Sequence, residues 1–417
     1  MSPFPHSSPD SHHPSQSGDS FSEAFLDTAS VRDALPEQYR AHFDELRSSI
    51  LAFCKEFGIP VETLRSKEDF GKQLTSKKIP AERMSQAVLL FAQLEHLVIH
   101  GEPLKEEKDS IESIEQHYHL REQYAFQYHL LKEVGILNER NAIVGIDDHE
   151  YPVPTLEQIA SRLFEQEKEL SIKRDQGFTK LLFVPFGMSL DALRKIFEQF
   201  LLSYQRAHLS FDLKIDRPLW TWDDYMEGDT GDDPKLMYNP QRFNEVHYQA
   251  RTKSWILGDQ ATNPSSFPGW RVHLLQPSDP TDPDSKGFAH IPKEGQGEIN
   301  GQESPRPDIE ANKTLKEYFF LLQEAKDNPN SPYFHESGLT PEDWMLACMV
   351  DLEETGQPLD NYQNGTERGS YLLGVLFTAS TYKPCACWSD MQASLYGGGL
   401  VDNDQTEDIG ARFSVVI

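Results

Sequence analysis

The sequence predicts an α+β protein with a helical N-terminal region. Three observations predict it. Apolar residues recur at helical spacing from about Phe21 to Leu137, and after Gly135 short apolar runs alternate with capped helices. The stretch Gly369–Ile417 then carries two buried-strand patterns, Tyr371–Phe377 and Ala411–Ile417, each entered through a glycine, Gly369 or Gly410.

Composition sets the frame for these elements. A chain of 417 residues exceeds one ordinary core, so two or three domains are expected. Its 39 basic and 67 acidic residues give a net charge of −28, which disfavours a binder of nucleic acid or of anionic membrane. No apolar run approaches the ~20 residues of a membrane helix. The N-terminus, MSPFPHSSPDSHHPSQSGDS, lacks the charged and apolar regions of a secretory signal. Four cysteines are too few for a disulfide scaffold and fit a reducing, cytoplasmic location.

Residues 1–20 are rich in Ser, Pro and His and read as a disordered tail. Residues 21–137 read as a helical bundle. Tyr39, Phe43, Leu46, Ile50, Phe53 and Phe57 form one apolar stripe, stopped by Gly58 and Pro60. Met84, Val88, Phe91, Leu94 and Val98 form a second, and Ile111, Ile114, Tyr118, Tyr124, Tyr128 and Leu131 a third. Residues 138–219 read as an α+β region. Ile143–Ile146 and Leu181–Val184 are short strands, Thr155–Gln158 is a capping box, and Ser189 caps a helix. Leu209, Phe211, Leu213 and Ile215 alternate with polar residues at strand period.

Residues 220–417 form the last block. Trp270–Leu275 is a strand, Pro277–Pro307 a surface excursion, and Thr314–Lys326 a helix. Thr340-Pro341-Glu342-Asp343 opens a helix that is apolar almost all round, Trp344 to Glu354, and must be buried. The segment of about 381–408 shows little periodicity. It is full of Cys, Ser, Tyr, Gly, Asp and Asn around Trp388, which suits recognition better than catalysis.

Motifs for chemistry are few. Cys385-Ala-Cys387 lacks the two-residue spacer and second ligand pair of a zinc site. Asp223, Asp224, Asp229, Asp232 and Asp233 could offer oxygens to a cation but miss the EF-hand spacing. A Ser-His-Asp set drawn from His247, His273 or His290 has no local support. The residues call for no cofactor and no metal.

Several runs, in order, carry a resemblance. Gln176–Gly187, Trp220-Thr-Trp222-Asp-Asp-Tyr225 and Gly269–Val272 come first. Leu339–Trp344, Asp351–Thr355, Leu373-Gly374, Thr378–Ser380, Trp388-Ser389, Gln392-Ala393 and Gly410–Val415 follow. Over roughly residues 105–417 the chain resembles the variable proteins of diversity-generating retroelements, in the family found in small uncultivated bacteria. The resemblance implies a C-terminal C-type-lectin-like domain of the formylglycine-generating-enzyme type, across 220–417. An error-prone reverse transcriptase would rewrite adenines near the 3′ end of the gene, changing selected side chains while the scaffold stays.

On that resemblance the ligand-binding, variable positions are Cys385, Cys387, Ser389, Asp390, Ser394, Tyr396, Gly398, Gly399, Val401, Asp402 and Asn403. The scaffold positions are Trp344, Trp388, Gln392, Ala393, Leu395, Gly410, Ala411 and Arg412. Met391 and Gly397–Gly399 depart from the family pattern, as do the terminal Val415-Val416-Ile417. The implied protein is no enzyme. It binds an unknown protein ligand, without nucleic acid or membrane, and its N-terminal module serves oligomerisation or coupling to a partner. The rival reading is a metal- or thiol-dependent enzyme of formylglycine-generating-enzyme-like fold using Cys385 and Cys387.

Overall fold

A computed structural model describes residues 28–60, isolated positions between 83 and 98, and residues 114–238, 250–263, 265–280, 282, 285–362, 367–398 and 405–417. The chain divides into two compact units, Met1–Asp109 and Ser110–Ile417. Among the described residues no helix is long and apolar enough to cross a membrane. The architecture is α+β, with several small sheets.

In the first unit, helix α1 (Thr28–Ala34) leads through a 3-10 turn into α2 (Arg40–Phe57). Helix α2 buries Phe43, Leu46, Ile50 and Phe53 from the expected stripe; Tyr39 and Phe57 are only partly covered. Gly58 ends it at φ 62°, its N–H bonded to the Cys54 carbonyl, in the left-handed cap that glycine adopts at least cost. Phe91, Leu94 and Leu97 are fully buried in the same core. Met84, Val88 and the expected tail lie outside the described residues.

The second unit begins earlier than the sequence suggests. Helix α3 (Leu120–Glu133) was expected in the N-terminal bundle, yet it belongs to the unit that follows. Its glutamines explain why. The side-chain amide of Gln127 donates to the Leu181 carbonyl at 2.6 Å and accepts from the Phe183 N–H at 2.9 Å. Gln123 does the same one turn away, with Thr179 and Leu181. These amides serve as a substitute strand along an otherwise open sheet edge. Gln127→Ala would strip partners from two buried backbone groups, and we expect a loss of about 2–3 kcal/mol, read from urea denaturation.

The rest of the unit follows in order. Strands β1 (Ala142–Val144) and β2 (Glu150–Pro152) form a hairpin. Helix α4 (Leu156–Glu165) starts at the Thr155/Gln158 capping box, and α5 (Glu167–Asp175) follows. Then come β3 (Lys180–Val184), α6 (Leu190–Ala207, capped by Ser189), β4 (Leu219–Thr221), β5 (Leu236–Tyr238) and α7 (Lys253–Thr262). Beyond β6 (Arg271–Leu275), the described residues of the excursion carry β7 (Ile299–Asn300) and β8 (Arg306–Pro307). Helix α8 (Leu315–Asp327), β9 (Glu336–Gly338) and α9 (Pro341–Thr355) lead to the C-terminal strands. These are β10 (Gly369–Tyr371), β11 (Val375–Phe377), β12 (Lys383–Ser389), β13 (Gln392–Gly398), β14 (Ile409–Ala411) and β15 (Phe413–Val416).

A four-stranded antiparallel sheet runs β3-β6-β15-β9, and a five-stranded mixed sheet runs β14-β10-β12-β13-β4. Because β3 shares a sheet with β6 and β15, no domain break falls at residues 219/220. Helix α9 is buried from Pro341 to Leu352, with Trp344 packed edge-to-face on Phe197 of α6 at 6.2 Å.

Four expected elements come out differently. Each apolar run at the C-terminus is divided between sheets: Tyr371–Phe377 breaks at Leu372–Gly374 into β10 and β11, and Ala411–Ile417 breaks at Arg412 into β14 and β15. Residues 209–215 form no strand. Leu209 and Ile215 stand exposed, and the one backbone bond from this run to the hairpin is donated by the Lys214 N–H to the Met391 carbonyl. The segment around Trp388 is a regular hairpin, β12–β13, because its small residues alternate with core residues at period two.

Candidate functional site

Hairpin register sorts the expected variable and scaffold positions. Cys385 faces Tyr396, Cys387 faces Ser394 and Ser389 faces Gln392 across the pair, all on one face. Ala386, Trp388, Ala393 and Leu395 take the opposite face and enter the main core. Trp388 therefore anchors the hairpin, packing on Phe211 at 5.3 Å.

The variable face is largely covered, contrary to the expectation of a solvent-facing patch. Helix α8 lies over it: Leu315, Tyr318 and Phe319 share a core with Tyr371, Cys385 and Ala411. Cys385 is 0% exposed, and Cys387, Ser394 and Gly398 are also buried. Tyr396 is half-buried, its hydroxyl lying over Gly369, where a Cβ would approach it to 3.2 Å. Ser389 is half-exposed and Asp390 exposed. Gly399, Val401, Asp402 and Asn403 lie outside the described residues. Burial pushes the Cys387 thiol up to about 11 and the Cys385 thiol higher still, so both are protonated near neutrality. All four cysteines are free.

What stays open is the hairpin tip. Asp390 and Met391 occupy φ 51° and 59°, the two left-handed positions of a tight turn, where Asn-Gly would be cheapest. Met391 is 41% exposed there. Beside the hairpin, Trp220 pairs in register with Ser394 and meets Trp222 at 6.2 Å. Met391 and Trp220 were not expected as surface groups; no local pattern marks a turn of this kind when its residues are Asp and Met.

The scaffold positions converge on Asp360, which had no signal in the sequence. Arg412 donates from Nε (2.9 Å) and from a terminal nitrogen (2.7 Å) to Asp360 Oδ1, while Trp344 Nε1 donates to Oδ2 at 2.8 Å. Arg412 also holds the Ala289 carbonyl. Gly410 has no room for a side chain, since a Cβ would meet Ile291 at 2.3 Å.

The excursion is fastened next to this hub. Gly287 N–H donates to Glu354, Phe288 N–H to Asp351 at 2.8 Å, and His290 lies 3.3 Å from Glu367. Burial raises Asp351 to about 6; the Phe288 N–H and Arg412 oppose this, while Glu367 and Asp360 add to it. The bond to Glu367 raises His290. Both groups bind protons more tightly folded than unfolded, so both stabilise the fold in mild acid and lose that contribution as pH rises. For Asp351 the loss runs from about 4 to about 6, and for His290 it extends above the usual imidazole range. Glu367 is held low by His290 despite burial, so its own contribution is lost on the acid side. We expect higher stability at pH 5.5 than at pH 8, with Asp351→Asn removing about 1 kcal/mol of the difference.

The acidic run 223–233 divides by burial. Asp223, Asp232 and Asp233 are exposed, whereas Asp229 is 2% exposed and lies 2.5 Å from the buried Lys253. Among the described residues no group of three His, Cys, Asp or Glu side chains could hold a metal ion. His273 does meet a serine and an aspartate, with Ser414 Oγ at 2.9 Å from Nδ1 and Asp343 Oδ1 at 3.2 Å from Nε2. All three are 0% exposed, which leaves no approach for a substrate. His247 lies outside the described residues.

No family model matches the chain, and neither a curated protein nor a solved structure does.

Proposed function

We propose that the chain is a non-enzymatic binding protein, displaying a diversified surface on a C-type-lectin-like scaffold and recognising a protein partner. One observation carries the reading. The hairpin places Cys385, Cys387, Ser389, Ser394 and Tyr396 on one face and Trp388, Ala393 and Leu395 on the other. Of the first set, Ser389 borders solvent, next to Asp390 and Met391, so a gene that varies these tip codons and preserves Trp388, Ala393 and Leu395 would change the exposed end of the hairpin without touching the core. Protonated, buried thiols at Cys385 and Cys387 speak against the thiol-enzyme alternative.

Because α8 covers the inner part of that face, recognition concentrates at the tip: Ser389, Asp390 and Met391, with Trp220 beside them. A strained turn kept where Asn-Gly would be cheaper supports a role other than stability. Trp supplies a rigid anchor, and Ser and Asp supply adaptable hydrogen bonds.

The genome provides the test. The 3′-terminal stretch of the gene should have a near-copy beside a reverse-transcriptase gene. Differences should fall at adenines in the codons for positions such as 385, 389, 390 and 396, and spare the codon for Trp388. A locus without such a copy would sink the proposal.

A further inference from the structure

Lys253, Asp229 and Glu342 meet in a site without solvent, their side chains 0–1% exposed. Lys253 Nζ lies 2.5 Å from Asp229 Oδ2 and 2.7 Å from Glu342 Oε1, and donates to the Met188 carbonyl at 2.7 Å. The rings of Phe186 and Tyr238 close the site at 5.2 and 5.4 Å from the nitrogen. Two acids on one ammonium exceed what an ion pair needs. Asp229 Oδ1 and Glu342 Oε2 are buried without any hydrogen bond, which is costly for a purely structural cluster.

From this geometry we infer that Lys253 and Asp229 condense to an intramolecular amide, with Glu342 as the proton carrier. The inference is independent of what the hairpin binds. Nζ lies 2.5 Å from Oδ2, so the nitrogen and the carboxyl group are already held side by side and no diffusional encounter is needed. Exclusion of water removes the competing solvation of both groups and favours loss of water as product.

The steps balance without any co-reactant. Asp229 and Glu342 hold the Lys253 ammonium charged against its burial. Condensation therefore waits on the transfer of one proton to Glu342 Oε1, which also accepts the Tyr238 hydroxyl at 2.7 Å; that transfer frees the nitrogen lone pair. That pair forms the N–C bond to the Asp229 carboxyl carbon, and charge gathers on Oδ2. There the Leu190 N–H donates at 2.8 Å from the first turn of α6, stabilising the developing oxyanion. Oδ1, bound to nothing, is the oxygen that leaves. It takes the proton held by Glu342 and a second from the nitrogen and departs as water when the C–O bond breaks. An ammonium and a carboxylate thus become one amide and one water. Asp229 is the acceptor because it alone of the two acids has a backbone N–H aimed at it.

Intact-mass measurement of the full chain under denaturing conditions tests this, on protein first shown to melt cooperatively. The expected mass is lighter than the sequence by one water. Peptide mapping should show residues 229 and 253 joined, with no tryptic cleavage after Lys253. Lys253→Arg and Asp229→Ala should each run at their full sequence mass. Glu342→Gln should leave most of the chain uncondensed while still melting cooperatively. Wild-type protein at full mass would overturn the inference, as would a missing water mapped to any other pair, including Lys253 with Glu342.

Discussion

Asp360→Ala should cost about 3–5 kcal/mol of folding stability, the largest single loss we expect in this protein. The substitution leaves the Arg412 guanidinium buried with the Ala289 carbonyl as its remaining hydrogen-bond partner, while Glu367 and Asp351 act on it only through space. It also frees the indole N–H of Trp344, which is 0% exposed. Both losses fall where the chain crosses from β14 to β15 and passes from one sheet to the other. Urea denaturation should show the midpoint falling with little change in slope. Replacing Arg412 by Met in the same chain should recover part of the loss, because the unpaired charge is then gone. A midpoint for Asp360→Ala close to wild type would show that the hub does not hold the two sheets.

Cys385→Asp should destabilise by several kcal/mol, whereas Ser389→Asp should stay within about 0.5 kcal/mol. The two positions share one hairpin face yet differ in what covers them. Cys385 is packed under α8, and a Cβ on Gly398 would come within 2.7 Å of its sulfur, so no space or water is left for a carboxylate. Ser389 borders solvent beside the turn. Thermal melts of the two variants decide the matter. Equal tolerance at both sites would mean that α8 lifts readily and that the whole face is available for recognition. Unequal tolerance confines harmless change to the tip.

Much of the local structure was legible in the sequence. Thr155, Ser189, Thr314 and Thr340 each cap the helix expected after them, and the Thr340 box with Asp343 forms as its spacing requires. Such signals lie within one turn of the chain, so neighbouring residues suffice to set them. The alternation at Leu209–Ile215 misled because period two describes a strand only when another strand pairs with it.

The sequence by itself determined the α+β class and the buried helix expected over Trp344 to Glu354, since apolar residues on every side of a capped helix leave it no face for water. Tertiary structure alone decided which strands share a sheet, that helix Leu315–Asp327 shares a core with Cys385, and that Asp360, Arg412 and Trp344 meet. It also decided that Lys253 finds two acids. Each of these is a contact between residues far apart in the chain. Its energy depends on burial and distance, and neither exists until the chain has folded.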